Sequence, residues 1–329
     1  MLRLVALSIL WFVLTLLTVW ATAALYIEVR YHPLRIPLAA LYVVIIGCIL
    51  WKAHGIAKPV FILISFVIVL AWWLSLKPTN SADWQANVSR LAQVEINGDA
   101  VTIHNYRNCD YRSENDYSNC WGDRSFKLSQ LRAVDFFLIN WGIPYISHPI
   151  VSFDFGDNQH VAFSIEARYK VGQNYSAILG FFRQFELIFV TAAESDVIRL
   201  RTNFRKDEEV YLYRTNLSPE VARAIFSSYA AHLDRLHRNP EWYNALTRNC
   251  TTTMDRQISE AVPNPVPISF RRLLLNGTLD EYLYSRGRFV TNGLSFPALQ
   301  QQAHINAVAH TVTDPAQYSA KIREGRVGF

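Results

Sequence analysis

Acidic residues are almost missing from the first 79 positions, where Glu28 stands alone against Arg3, Arg30, Arg35, Lys52, Lys58 and Lys77. The remainder of the 329-residue chain carries 26 basic and 26 acidic residues, so the formal charge of +5 belongs to the N-terminal segment. That balance leaves no broad basic surface, and nucleic acid is excluded as a partner. Cysteine is also scarce, with four in the chain: Cys48, Cys109, Cys120 and Cys250. There is no Cys-x-x-Cys, no His-Glu-x-x-His, no Gly-x-Ser-x-Gly and no phosphate-binding glycine loop. These gaps argue against a zinc site, a serine hydrolase and a P-loop enzyme. Cys109 and Cys120, even with His104 nearby, lack compact metal spacing, so neither metal nor cofactor is expected.

What the N-terminal segment does have is apolar length. Charge-free runs cover Leu4 to Ile27, Ile36 to Trp51 and Pro59 to Leu76. The first, at about 36 Å of helix for ~1.5 Å per residue, spans a bilayer. The third just suffices, and the second must borrow flanking residues. Trp11, Trp20, Trp51, Trp72, Trp73 and Trp84 lie in or near these runs, several at their ends, as an interfacial belt requires. The first run is too long for a removable signal peptide. Residues 1–79 are therefore expected to form an anchor of three transmembrane helices. Lys and Arg are shared evenly between the two sides and do not orient it. Cys109 and Cys120 share one polar loop, and a disulfide between them would persist only in an oxidising compartment. Such a bridge would put residues 80–329 in the periplasm of a bacterial inner-membrane protein, whereas two unpaired thiols in that loop would leave the side open.

The soluble part reads as α+β, with a mainly antiparallel sheet and packed helices. Val94 to Ile103 reads as a hairpin around Asn97-Gly98. Residues 128–141 have helix-compatible apolar spacing, with Ser129 as a possible cap. Residues 149–155 and 160–168 alternate on either side of Gly156-Asp157-Asn158-Gln159, forming a second hairpin. Further strands are expected at 185–191, 197–201 and 210–214. Ser218-Pro219-Glu220 starts a helix to about Arg238. A short helix is expected over 241–247, and another runs from Cys250 to about Val262, ended by Pro263, Pro265 and Pro267.

Cys250 has no evident partner and follows Asn249, a cap-like residue at a helix start. A thiol there is expected to have a depressed pKa and to act as a nucleophile. It needs a base, and the second hairpin offers one. If the apolar faces of its strands coincide, paired positions have an even sum and the loop holds three or five residues. His148 then lies opposite Glu166 or Arg168. A helix end presenting Cys250 would complete a Cys-His-Glu site, with free N–H groups as an oxyanion hole. The bland reading is a buried small hydrophobe at Cys250 and a solvated strand face at Glu166 and Arg168.

Five ordered stretches sharpen this: Ile146 to Phe153, Ala162 to Arg168, Phe182 to Ile188, Ile198 to Asn203, and Tyr243-Asn244 through Asn249-Cys250-Thr251-Thr252. Together they resemble the Lnb N-terminal periplasmic domain family, over roughly residues 85–262. That family is similar to circularly permuted NlpC/P60 papain-like thiol enzymes, in which the His strand precedes the Cys helix. The resemblance implies Cys250 as nucleophile, His148 as base and Glu166 as orienting group, with Arg168, Tyr243 and Asn249 lining the site. The family's namesake members look like lipoprotein N-acyltransferases.

The expected organisation is an anchor at 1–79, a thiol enzyme domain at 80–265 and a C-terminal extension at 266–329. The leading expectation is an acyltransferase moving a fatty acyl chain from membrane phospholipid to an amine, such as a lipoprotein N-terminus. A Cys-His hydrolase of the cell envelope and a non-enzymatic membrane scaffold are the alternatives. The sequence sets no oligomeric state.

Overall fold

The computed structural model describes residues 1–118 and 121–329. The expected Cys109–Cys120 bridge involves Cys120, which lies outside the described residues. The chain forms two compact units, one of Met1–Thr79 with Asn174–Glu186, the other of Asn80–Gln173 with Leu187–Phe329.

The first unit holds three helices, α1 (Leu2–Glu28), α2 (His32–Lys52) and α3 (Ala57–Ser75), each long and apolar enough to cross a membrane. α2 gains its length by taking in His32 to Arg35 and Lys52 at its ends, with Pro33 in its first turn. Glu28, the acid of this segment, is buried at the end of α1. Its carboxylate accepts from Trp73 Nε1 at 3.0 Å, from Gln184 Nε2 at 2.7 Å and from the backbone N–H of Arg183. The Arg183 guanidinium lies 4.2 Å from the Trp73 ring centroid. It donates to the carbonyls of Leu74 and Leu76 at 2.9 and 2.6 Å, satisfying acceptors that the end of α3 leaves open. Segment 174–186 thus supplies the donors that let a carboxylate sit inside an apolar bundle.

The second unit is built on a sheet of eight strands: β1 (Gln93–Asn97), β2 (Ala100–Arg107), β3 (Trp121–Lys127), β4 (Ala133–Asn140), β5 (Ser147–Asp154), β6 (His160–Arg168), β7 (Glu186–Ala192) and β8 (Glu209–Arg214). Their order is β1-β2-β7-β6-β5-β4-β8, with β3 on β2. The sheet is mixed and not wholly antiparallel, because β2 and β7 pair in parallel. Three helices follow the strands' logic: α4 (Glu194–Val197), α5 (Pro219–Arg238) and α6 (Cys250–Ala261). Ser218 caps α5 through Val221 N–H, as its sequence requires. On one face of the sheet Phe153 and Phe163 meet Phe226 and Tyr229 of α5 edge-on, with ring centroids 5.2 to 6.0 Å apart.

Three expected elements differ. Residues 128–141 are not a helix: Leu128–Gln130 makes one 3₁₀ turn and the rest is β4. β4 lies between β5 and β8 and is buried on both faces, so apolar residues fill nearly every position and period 2 is hidden. Ser129 is tied to Asp99 instead of capping. Residues 197–201 are helical, split between α4 and a π-helical turn at Leu200–Phe204. Residues 241–247 form a turn in which Asn244 Oδ1 accepts from Leu246 and Thr247 N–H.

The tail does not stand apart, and no break falls at residue 265. It adds α7 (Phe270–Leu274), α8 (Leu279–Ser285), α9 (Phe296–Ala303), α10 (Asn306–Thr311) and α11 (Tyr318–Lys321), and buries Leu279, Ile305, Tyr318 and Ile322 completely. Just beyond α11, Arg323 reaches Asp135 Oδ2 at 2.7 Å and Glu194 Oε1 at 2.6 Å, both carboxylates being buried. Replacing Arg323 by Ala leaves this pair of buried carboxylates one cation short. The expected cost is about 3–5 kcal/mol, read as a fall in the thermal unfolding midpoint. Lys321→Ala, an exposed control, should change stability by less than about 0.5 kcal/mol.

Candidate thiol site

Asn249 is the N-cap of α6 and completes a capping box. Its Oδ1 accepts from Thr252 N–H at 2.9 Å, while Thr252 Oγ1 accepts from Asn249 N–H at 2.9 Å. Its Nδ2 donates to Ala245 O at 2.8 Å, fixing the preceding turn. The side chain expected to contact substrate is therefore engaged in holding the helix end. Cys250 is the first helical residue and is half-buried, with Sγ 3.8 Å from Thr251 Oγ1. The depressed pKa expected at a helix start is not what the site produces. Burial pushes the thiol up to about 11, outweighing Thr251, the N–H groups of Thr251 and Cys250, and the charge of Arg201.

β5 and β6 pair with an even sum, Ile150 opposite Ser164 and Asp154 opposite His160, around the five-residue loop 155–159. Two positions further along, that register sets His148 opposite Glu166. Their Nε2 and Oε1 atoms are 4.0 Å apart. Ser164, one of the residues between, joins them: His148 Nε2 lies 2.8 Å from its Oγ, which donates to Glu166 Oε1 at 2.6 Å. Trp141 stacks on the imidazole at 6.2 Å between centroids. Nδ1 makes no hydrogen bond among the described residues. Burial, helped by Arg201, drives the His148 pKa down to about 3, so the ring is neutral at pH 7. Burial alone would raise Glu166, but Arg201 above all holds it at about 2. Arg201 donates to Glu166 at 2.9 Å and to Glu208 at 3.3 Å from the π-helical turn.

The Cys helix and the His strand are joined through Asn276. Its Oδ1 accepts from Ser147 N–H at 2.7 Å, its Nδ2 donates to Ser147 O at 2.8 Å, and its carbonyl accepts from Ser147 Oγ at 2.9 Å. The same Nδ2 reaches Thr251 Oγ1 at 2.5 Å. One amide thus holds the residue before His148 and the residue after Cys250. Among the described residues no hydrogen bond runs between Cys250 and His148 themselves. Gly277 continues the contact: a Cβ there would fall 2.2 Å from Pro144 O, so only glycine lets the tail lie against this loop.

Two expected site residues are placed differently. Arg168 is buried and turned toward the segment before β1, donating to Val88 O at 2.8 Å and Ser89 O at 2.7 Å and stacking on Trp84. Tyr243 is buried in the turn leading to Cys250. The structure adds Ser164, Arg201 and Asn276 to the residues expected from sequence. Ser164 shares a strand face with Glu166, a relation that period 2 carries; Arg201 falls in a run that reads as a strand, and Asn276 in the C-terminal extension. A second cluster, Asp135, His160 and Glu194, has ligand-type atoms within 4.8 Å of one another. Arg323 binds both of those carboxylates and Arg214 lies 2.8 Å from Asp135, so guanidinium groups stand where a cation would.

A neutral thiol and a neutral imidazole predict a specific pH profile. Alkylation of Cys250 by iodoacetamide, followed by peptide mass spectrometry, should quicken about tenfold per pH unit from pH 6 to 9, tracking the thiolate fraction. A rate independent of pH over that range would mean a preformed thiolate–imidazolium pair.

Residues 117–277 match the family model described as the Lnb N-terminal periplasmic domain. No curated protein and no solved structure matches the chain. The match covers β5, β6 and α6 and ends at Gly277, the residue that closes the Asn276 contact. Residues 117–277 are thus similar to the Lnb N-terminal periplasmic domain family, and with three helices of membrane-crossing length they point to a membrane-anchored protein with a periplasmic domain.

Proposed function

We propose that this protein is a thiol acyltransferase of the bacterial inner membrane, with its second unit in the periplasm. The observation that carries the reading is the His148–Ser164–Glu166 relay, tied by Asn276 to the helix that begins at Cys250. Cys250 Sγ attacks the carbonyl carbon of a phospholipid ester as its proton passes to His148 Nδ1, the ring atom left without a hydrogen bond. The ester C–O bond breaks, His148 returns the proton to the leaving alkoxide, and a lysophospholipid departs. An amine then attacks the thioester. A C–N bond forms, the C–S bond breaks and the amine proton passes through His148 to restore the thiol.

Both groups are neutral at rest, so proton transfer accompanies attack and does not precede it. Ser164 and Glu166 orient the ring through Nε2 and support the imidazolium as it forms. The N–H groups of Cys250 and Thr251 lie against Sγ, ahead of the first intrahelical bond, from Thr253 N–H to Asn249 O, and suit a developing oxyanion. Further along α6, Met254 and Ile258, with Val262 just past its end, line an apolar pocket with Leu283 and Phe289. At about 90 Å³ it is well below the ~300 Å³ at which ligand pockets begin, so as it stands it takes only a few methylene groups.

The test is incubation with phospholipid carrying a labelled acyl chain. A hydroxylamine-labile acyl group should appear on Cys250, be absent from Cys250→Ala, and form about 10²–10⁴-fold more slowly in His148→Gln. No adduct in folded protein would sink the proposal. An adduct discharged to water and never to an amine would make the protein a hydrolase.

A further inference from the structure

Exposed apolar side chains lie on three segments that adjoin the thiol site. Ile143, Tyr145 and Ile146 are exposed in the loop before His148, Leu246 in the turn before Cys250, and Phe270 and Leu275 on and just after α7. Three separate segments of chain therefore carry them, and the contacts already described draw those segments together. Gly277 donates to Tyr145 O at 3.2 Å and packs on Pro144. Asn276 binds Ser147 and Thr251. Asn249 holds the turn containing Leu246 through Ala245 O. Soluble surfaces scatter such residues singly; a cluster around one entrance marks a contact surface.

Charge indicates what makes the contact. Residues 142–146, 244–249 and 270–275 hold no Asp or Glu, yet they hold Arg248, Arg271 and Arg272. Arg248 is paired with Glu241 at 3.1 Å and Arg272 lies over the Tyr282 ring at 4.2 Å. Arg271 is exposed and has no ion pair among the described residues. The rim thus carries Arg271 and Arg272 with no ion pair among the described residues, although residues 80–329 as a whole hold equal numbers of basic and acidic side chains. Aromatic and aliphatic tips mixed with arginine are the composition of surfaces that lie in the headgroup boundary of an anionic bilayer. Three helices of the chain are long and apolar enough to cross a bilayer.

We propose that this rim is a docking surface for anionic phospholipid, with Phe270, Leu275 and Tyr145 entering the acyl boundary and Arg271 and Arg272 meeting phosphate. It recruits lipid to the entrance of the thiol site and does so whether or not Cys250 reacts.

The experiment uses the full chain in nanodiscs of phosphatidylcholine, alone or mixed with phosphatidylglycerol, containing a lipid with a photoreactive acyl chain. Crosslinked peptides are identified by mass spectrometry. Peptides containing Tyr145, Leu246 and Phe270 to Leu275 should crosslink severalfold more than the peptide containing Ile96, an exposed apolar residue on β1. The yield should rise with phosphatidylglycerol and fall severalfold in Arg271→Gln/Arg272→Gln and in Phe270→Ser/Leu275→Ser. Cys250→Ala should crosslink like the wild type, which separates this surface from the chemistry proposed above. Crosslinking no greater than at Ile96, or equal in the two nanodiscs, overturns the proposal. So does crosslinking that requires an added acylated peptide instead of bilayer lipid.

Discussion

One side-chain amide sets the geometry on which the thiol site depends. Asn276 satisfies the backbone N–H and carbonyl of Ser147 as a neighbouring strand would, and spends its remaining donor on Thr251. A buried amide bonded on every side is geometrically demanding, because each unmet group would carry the full cost of its desolvation. The start of β5 and the start of α6 are therefore held to one arrangement. Gly277 makes that arrangement possible by bringing backbone against backbone at Pro144. The site is as much a product of the tail as of the hairpin and helix that carry its reactive groups.

Buried charge is the second constraint. Arg201 holds Glu166 ionised in a place where burial alone would neutralise it, and the same cation disfavours a charged His148. The consequence is a relay with one fixed anion, a neutral ring and a neutral thiol. Such a site holds no thiolate at rest. Arg323 performs the matching task elsewhere, allowing Asp135 and Glu194 to be buried together. In the first unit Trp73, Gln184 and the backbone of Arg183 do so for Glu28.

Strand parity was legible in the sequence because one face of each hairpin strand is continuously apolar. A slip of one residue would turn Phe153 and Phe163 out of the core, so hydrophobicity narrows the partner of His148 to Glu166 or Arg168, and the five-residue loop selects Glu166. The cap at Asn249 was equally readable, since capping is chemistry within four residues. β4 was not, because a strand buried on both faces loses its alternation. Residues 197–201 were not, because a β-branched, apolar-rich run reads as a strand, whereas in the fold it is helical and runs into a π-helical turn. Asn276 gave no signal: a single polar residue in a tail of short helices is indistinguishable from a loop residue until its partners are known.

By itself, the sequence determined the membrane-length helices, the α+β class and the parity of the second hairpin, all of which depend on local period, length and composition. Tertiary structure alone decided that the tail joins the domain, that Arg168 points away from the relay, and that the thiol's pKa rises instead of falling. The reason is common to all three. Burial and charge are summed over residues distant in sequence, and Cys250 responds to the total: a helix start that lowers its pKa, a desolvating interior that raises it more, and an Arg201 some fifty residues away.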